Sequence, residues 1–142
     1  MGPSRPPTRV LVDSSGLGDR ITLRAADITC ESLGHDRDAV LLSDVLYLND
    51  EVSLAVLEAA HRALAPGGRL VVRGYYSDPR AGHPLWGALF DLARLLWEAD
   101  RAPITRSRVR SWLERVGFGE IDVFPLTERS TCILARRSGR AH

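Results

Sequence analysis

The stretch LLSDVLYLNDEVSLAVLEAAHRALAPGGRLVVRGYY, residues 41–76, decides the fold. It starts in an apolar run that predicts a buried strand, and Asn49 or Asp50 can then cap a helix. That helix carries apolar residues at helical spacing and is stopped by the turn at residues 66–68, after which a second apolar run predicts another strand. Because a crossover of this kind is almost always right-handed, the two strands are expected to lie parallel in one sheet.

Two further strands are predicted upstream of that stretch. Residues 9–13, RVLVD, form a short apolar run closed by an acid, and residues 20–28, RITLRAADI, alternate and end beside another acid, Asp27. The strand that opens the deciding stretch covers residues 38–43. Polar residues follow all three predicted strands at their carboxyl ends.

The downstream residues predict two helices and a pair of strands. Residues 84–98 carry a continuous leucine stripe, and a second helix begins after Thr105 and ends at Gly117. Residues 120–126 and 130–137 then form a strand pair around a polar turn. The sequence therefore predicts an α/β fold with a mostly parallel sheet, helices on both faces and a C-terminal antiparallel strand pair.

The length of 142 residues, 44% of them hydrophobic, suits one domain with one core. We expect residues 1–8, which are proline-rich, to be a flexible lead-in, residues 9–137 to form the domain, and residues 138–142 to be a tail. The longest apolar runs are far shorter than the roughly 20 residues that span a bilayer, so no membrane segment is predicted and the cytoplasm is the expected compartment.

The charge and the cysteines exclude several classes of function. A formal charge of +1 from 19 basic and 18 acidic residues gives no large field, which argues against a nucleic-acid binder. Cys30 and Cys132 lie far apart and signal neither a metal site nor a disulfide framework. A solvated or salt-bridged face is the favoured interpretation of the arginine-rich helix, which contains Arg106, Arg108, Arg110 and Arg115.

Four segments, taken in order, carry a resemblance. They are DRITLRAADI, DAVLLSDVLYLNDE, ALAPGGRLVV and RSWLERVGF, between residues 19 and 137. Together they resemble the C-terminal part of class I S-adenosylmethionine-dependent methyltransferases, the O-methyltransferases of natural-product pathways. The resemblance implies a Rossmann-like sheet in the order 3-2-1-4-5-7-6, with the cofactor at the carboxyl ends of the first strands.

The resemblance also implies the positions that would contact the cofactor. Asp27 matches the acid that neighbours the adenine, with Ile28 after it. Asp13 matches either the acid of the glycine motif or the acid that holds the ribose; in the first case Gly16 and Gly18 stand one residue out of register. If residues 9–13 are the family's second strand instead, its first strand is missing. Ser43 ends the next strand and is expected, with Asp44, to face the same cleft.

A catalytic base is the weakest part of the resemblance. The family uses a histidine where this chain has LYLND, so Leu46 or Tyr47 takes its place. A tyrosine with a pKa near 10 is a poor base at neutral pH. Tyr47 and His83 are the candidates, and no metal ligand set is predicted.

A partner is expected for two reasons. A sheet that loses its central strand exposes unpaired backbone, and the side chains of Trp86, Phe90 and Trp97 form a candidate interface. We therefore expect a truncated methyltransferase-like subunit that associates with a full-length methyltransferase or with its own copies. A heteromeric complex with a small-molecule substrate would result. The alternatives are a minimal stand-alone methyltransferase and a pseudoenzyme that binds another small molecule.

Overall fold

The computed structural model describes residues 7–47, 49–77, 89, 92–93, 96, 103–128 and 130–139. Within these ranges the sheet has four strands, and helices lie between and before them. In chain order, the elements are α1 (Pro7–Ser14), β1 (Arg37–Ser43), α2 (Asp50–Ala63), β2 (Leu64–Gly74), α3 (Arg106–Val116), β3 (Phe118–Pro125) and β4 (Thr131–Arg137).

The unit from β1 to β2 forms in the predicted order, but α2 ends at Ala63, and residues 66–68, predicted to stop it, already belong to β2. The Asn49 side chain accepts a hydrogen bond of 2.9 Å from the Val52 amide and caps α2, while Asp50 and Glu51 lie favourably in its first turn. Strands β1 and β2 then pair in parallel, with Leu41 opposite Val71. The predicted parallel crossover is confirmed.

The four strands lie in the order β1-β2-β4-β3. Strands β2 and β4 are antiparallel, and so are β3 and β4, which confirms the predicted C-terminal strand pair. This order is the 4-5-7-6 half of the sheet that the resemblance implies. The α/β class is confirmed. The described sheet has one parallel and two antiparallel strand pairings and so is not mostly parallel, because the part of the chain before β1 adds no strand to it.

The two upstream strand predictions are wrong. Residues 9–13 lie in helix α1, which begins at Pro7, inside the predicted lead-in, and proline suits a first helical position. Residues 21–27 have no regular secondary structure, and a turn follows them. Between Thr8 and Leu41 no side chain is fully buried. An alternating segment needs a neighbouring strand to complete its hydrogen bonds, and the described residues offer none beside it.

The core lies between the sheet and the pair α2 and α3. Fully buried side chains come from the helices, such as Leu57 and Leu113, and from the strands, such as Leu70, Val72 and Ile133. An ion pair between Arg108 and Asp50 ties α3 to α2. Among the described residues, no helix is long and apolar enough to cross a membrane.

Candidate functional site

A polar cluster occupies the carboxyl ends of β1 and β2. It consists of Asp44, Tyr47, Arg73 and Tyr75. Asp44 takes a left-handed backbone conformation at φ 55°, and its amide donates to the Arg73 carbonyl at 3.0 Å, which turns the chain out of the sheet. Its carboxylate accepts from the Tyr47 hydroxyl at 2.8 Å and forms an ion pair with Arg73. The polar cluster is therefore built from two neighbouring parallel strands.

The two tyrosines of the polar cluster hold its geometry. The Tyr47 hydroxyl accepts a hydrogen bond of 3.1 Å from the Tyr75 amide while it donates to Asp44. The Arg73 guanidinium lies 4.9 Å from the centre of the Tyr75 ring and donates to its hydroxyl at 3.1 Å. Since each of these groups has more than one contact, the charged pair stays in a fixed orientation at the partly exposed end of the sheet.

Gly74 lies between Arg73 and Tyr75, two members of the polar cluster. A Cβ atom at this position would come within 2.6 Å of the Tyr76 hydroxyl and 2.9 Å of the Tyr47 hydroxyl. Tyr76 is fully buried, and its hydroxyl has no hydrogen-bond partner among the described residues. The positions of both phenol oxygens thus require that residue 74 has no side chain.

The environment of Tyr47 makes it a poorer base than an ordinary tyrosine. Burial raises the pKa of its hydroxyl above the usual value, and the Asp44 carboxylate raises it further, because a negative charge would form beside another. Burial likewise raises the pKa of Tyr76. At neutral pH both hydroxyls carry their protons, so Tyr47 acts as a hydrogen-bond donor.

A second feature, the edge groove, runs along the outer side of β1. It has a volume of about 490 Å³ and is mostly apolar. Its lining residues are Ile28, Leu33, Arg37, Ala39, Val40, Leu41, Leu42, Ser43 and Val45. The groove therefore brings together two of the residues predicted for the cofactor site, Ile28 and Ser43.

The comparison with known sequences finds two partial relatives, whereas no protein-family model matches the chain. L-tyrosine C(3)-methyltransferase of Streptomyces lavendulae is 30% identical over 88 residues, which are 61% of this chain and 24% of the relative. Aclacinomycin 10-hydroxylase RdmB of Streptomyces purpurascens is 43% identical over 72 residues, which are 50% of this chain and 19% of the relative. The chain thus spans a quarter or less of either protein.

The comparison of structures covers most of this chain. The S-adenosylmethionine-dependent methyltransferase SibL, in its apo form, superposes with a TM-score of 0.77 and 27% sequence identity over 92% of this chain and 39% of the SibL chain. This chain has a partial class I methyltransferase fold. It resembles the C-terminal part of the S-adenosylmethionine-dependent O-methyltransferases, in agreement with the strand order β1-β2-β4-β3.

Most residues predicted to hold the cofactor of this methyltransferase fold do not converge. Asp13 is exposed on α1, and a Cβ atom on Gly16 or Gly18 would meet no protein atom within 4 Å, so the packing of the described residues does not require glycine at either position. The Asp27 carboxylate accepts from the Thr29 hydroxyl at 2.6 Å and from its amide at 2.9 Å. The hydrogen bond from the Thr29 hydroxyl lowers the pKa of Asp27 most, and the one from the Thr29 amide lowers it further. The Asp27 carboxylate therefore stabilises a local turn.

The predicted positions that the structure describes therefore do not form a complete site for S-adenosylmethionine. A nucleoside cofactor at this edge of the sheet needs a turn that lets the backbone approach it and acids aimed at its hydroxyls. Here the Asp27 carboxylate already serves a turn, while Ile28 and Ser43 contribute only a short stretch of groove wall. Among the described residues there is also no group of three metal-ligating side chains.

Sequence reasoning missed Arg73 as a member of the polar cluster. The chain signals it by one charge within the otherwise apolar run RLVVRGYY. Its partner Asp44 lies 29 positions away, so no local pattern joins the two. By contrast, Ser43 and Asp44 were predicted because they end a predicted strand, and Tyr47 because its segment resembles the one that carries the family's histidine.

Several predicted residues lie outside the described ranges, namely His83, Trp86, Phe90 and Trp97. The leucine stripe of the same segment is described in part: Leu89, Leu92 and Leu96 are exposed. In the arginine-rich helix α3, Arg110 pairs with Glu114 at 3.1 Å and Arg108 pairs with Asp50. These ion pairs agree with a salt-bridged face.

Proposed function

We propose that this chain is an auxiliary methyltransferase-like subunit that lends the second half of a class I sheet to a fuller S-adenosylmethionine-dependent methyltransferase of specialised metabolism. One observation carries the proposal. Strand β1 has a neighbour on one side alone in the described sheet, and its open side is where the cofactor-binding half of the family's sheet lies. The exposed apolar side chain of Leu41 on β1 supports the same assignment.

The chemical groups that the described residues offer support an auxiliary role. Among the described residues the proposed cofactor positions do not converge, and Tyr47, one of the two residues that can match the family's histidine, holds its proton more tightly than usual. The polar cluster offers a carboxylate, a guanidinium and a phenol at the end of the sheet. In the complex these groups would orient a polar small-molecule acceptor, while the partner supplies the cofactor and the base.

Calorimetric titration tests this proposal. S-adenosylhomocysteine is titrated into the purified chain alone, into a methyltransferase encoded beside it, and into their mixture. We expect no binding to the chain alone and tighter binding in the mixture than to the methyltransferase by itself. Binding to the chain alone in the micromolar range would overturn the auxiliary role and favour a minimal methyltransferase that works by proximity.

A second candidate function is supported by one relative. RdmB, which is 43% identical over 72 residues, is named a hydroxylase and not a methyltransferase. A complex containing this chain could therefore act on a small molecule without methylating it. Incubation of the complex with a candidate acceptor and mass spectrometry of the products distinguishes an added methyl group from an added oxygen atom.

A further inference from the structure

Two irregular strands flank the carboxyl end of β4. Strand β2 pairs with β1 through Leu64 and then again from Arg69, so the residues between them leave the regular ladder. Strand β3 pairs with β4 through Gly119 and then from Asp122, which leaves an extra residue on β3. Irregularities of this kind bend a strand and change the direction of its side chains. Because β4 lies between β2 and β3, its end is bordered by both bends.

An open cleft, the arginine cleft, lies at this end of the sheet. Its walls include Gly67, Gly119, Glu120, Arg136, Arg137 and Ser138. The volume of about 330 Å³ falls within the range of small-molecule sites. The strand residues from Gly67 to Gly74 span up to roughly 23 Å, so the arginine cleft is separate from the polar cluster at the opposite end of β2.

The arginine cleft carries more positive than negative charge. The Nε atom of Arg136 donates to the Gly67 carbonyl at 3.2 Å, and its Nη1 atom donates to the Glu120 carboxylate at 3.2 Å. Its Nη2 atom has no acceptor among the described residues. Arg137 donates to the Leu64 carbonyl and has no acidic partner in the described part of the chain. Two guanidinium groups against one carboxylate leave a positive charge at the cleft.

A third arginine adds to this charge. Arg69 of β2 lies directly opposite Arg136 of β4, and residues opposite each other in an antiparallel pair face the same side of the sheet. Like charges in this arrangement are destabilising. Within the described ranges, Arg69 has no acidic partner. A bound anion would therefore offset a repulsion that the described side chains leave in place.

Ser138 adds a hydroxyl group beside the guanidinium groups. A Cβ atom on Gly119 would lie 3.1 Å from the Ser138 hydroxyl oxygen, so the glycine leaves room for this hydroxyl. The hydroxyl has no hydrogen-bond partner among the residues that the structure describes. Guanidinium groups match phosphate oxygens with paired N–H donors, and a hydroxyl can donate to a third oxygen. These donors suit a dianion with several acceptor oxygens better than a single carboxylate.

We propose that the arginine cleft binds the phosphate group of a small phosphorylated molecule, with Arg136, Arg137 and Ser138 as donors. The ion pair between Arg136 and Glu120 is weak because the Glu120 side chain is 71% exposed, so a phosphate can displace the carboxylate. The remaining volume of the cleft accommodates a small organic group attached to the phosphate. The inference does not depend on the proposed function, because the two sites lie at opposite ends of the sheet.

Calorimetric titration of the full chain tests the ligand class. The probes are phenyl phosphate, inorganic phosphate and phenyl sulfate at one ionic strength and about pH 7.5, where phosphate esters, with a second pKa near 6, are dianions and the sulfate ester is a monoanion. We expect both phosphates to bind, and phenyl phosphate to bind about tenfold more tightly than phenyl sulfate. Binding of inorganic phosphate alone, equal binding of the two esters, or no binding would each overturn the proposal.

A pair of matched substitutions tests the role of Glu120. Glu120→Gln removes the carboxylate that competes for Arg136 and should tighten phenyl phosphate binding by about threefold or more. Glu114→Gln changes the net charge equally, but it releases Arg110 on α3, which pairs with Glu114 at 3.1 Å. This control should leave the affinity unchanged. Equal tightening by both substitutions would reveal a general effect of charge and refute the site.

Loss of an arginine should have the opposite effect. We expect Arg136→Gln to weaken phenyl phosphate binding by about tenfold or more, whereas Arg110→Gln on α3 should not. Arg136→Gln also removes a donor from the Gly67 carbonyl, so circular dichroism must show that the variant is folded. If it does not fold, the Glu120→Gln comparison decides. Unchanged affinity in a folded Arg136→Gln variant would overturn the assignment.

The imidazole of His61 reports whether the anion lies beside Arg137. Burial lowers the pKa of His61 most, the charges of Arg137 and Arg62 lower it further, and a hydrogen bond with the Gly117 backbone raises it. Phenyl phosphate at saturation should offset the charge of Arg137 and so raise the pKa of His61, measured by nuclear magnetic resonance and assigned with His61→Gln. The exposed His35 is the control. An unchanged pKa of His61 in the bound chain would contradict the proposed position of the phosphate.

Discussion

Gly74 and Tyr76 fit together because position 74 has no side chain: a Cβ atom there would lie 2.6 Å from the Tyr76 hydroxyl. Contacts this short force a shift of buried atoms. Since the same space also adjoins the Tyr47 hydroxyl, Gly74 connects the core to the polar cluster. The relationship makes position 74 the most sensitive point of the candidate site.

Substitution of Gly74 by alanine should therefore destabilise the chain. We expect Gly74→Ala to lower the free energy of unfolding by about 1–3 kcal/mol, the usual cost of overpacking a buried site, as measured by urea denaturation. Gly18→Ala is the matched control, because a Cβ atom there meets nothing within 4 Å and the backbone is not left-handed. Equal stability of the Gly74→Ala variant and the wild type would contradict this account of the site.

The half-buried Tyr47 and the fully buried Tyr76 should respond in opposite ways to loss of the hydroxyl. Tyr76→Phe removes an unpartnered buried group, so the free energy of unfolding should stay constant or rise by about 1 kcal/mol. Tyr47→Phe removes a hydroxyl that donates to Asp44 and accepts from the Tyr75 amide, and should cost about 1–3 kcal/mol. Chemical denaturation of both variants checks the pair, and a larger loss for Tyr76→Phe would refute it.

The raised pKa values of Tyr47 and Tyr76 predict instability in alkali. Each folded-state pKa lies above the unfolded value near 10, so the stabilising contribution is complete below about pH 10 and falls as the pH rises further. Of the 3 tyrosines, these two should ionise only as the chain unfolds. Absorbance of tyrosinate, recorded beside circular dichroism, should show the two events together; ionisation of all tyrosines in the folded chain would contradict the prediction.

His61 should make the chain less stable in mild acid. Its ring lies edge-on to Phe118 with centroids 5.0 Å apart, and burial, aided by the charge of Arg137, lowers its pKa. A pKa below the unfolded value near 6.5 means that stability is complete above that pH and falls as the pH drops toward the folded value. We expect His61→Gln to reduce the loss of melting temperature between pH 7 and pH 5.

The exposed His35 supplies the control for this measurement. His35→Gln replaces an exposed histidine that contacts Asp36 at 2.8 Å on the surface, so it measures the effect of losing a histidine away from the core. If both variants changed the acid dependence equally, the packing of His61 against Phe118 would not be its cause.

The parts of the fold that depend on residues close together in the sequence could be predicted, and the parts that depend on distant residues could not. The unit from β1 to β2 was predictable because its cap at Asn49 is local, although α2 ends at Ala63, before the turn at residues 66–68 that was predicted to stop it. Residues 9–13 were mistaken for a strand because Val10 and Val12 favour one, yet a strand forms only beside a partner, and Pro7 starts a helix instead. Local pattern cannot show that a neighbour is missing.

The candidate site was predictable in part for the same reason. Ser43 and Asp44 lie at the end of a strand, where the fold places ligand-facing groups, and Tyr47 was identified by the resemblance of its segment to the one that carries the family's histidine. Arg73 reaches Asp44 only after the crossover brings β2 beside β1, and the need for glycine at position 74 arises from two tyrosines that converge in space. Contacts that depend on tertiary structure do not leave a pattern in the sequence.

The absence of any fully buried side chain between Thr8 and Leu41 has a consequence for local stability. Side chains that stay in contact with water contribute little to the free energy of folding. In the part of this segment before β1, Ile28 is the partly buried side chain that packs against the core. We therefore expect the segment to open locally while the packing of α2, α3 and the four strands stays intact.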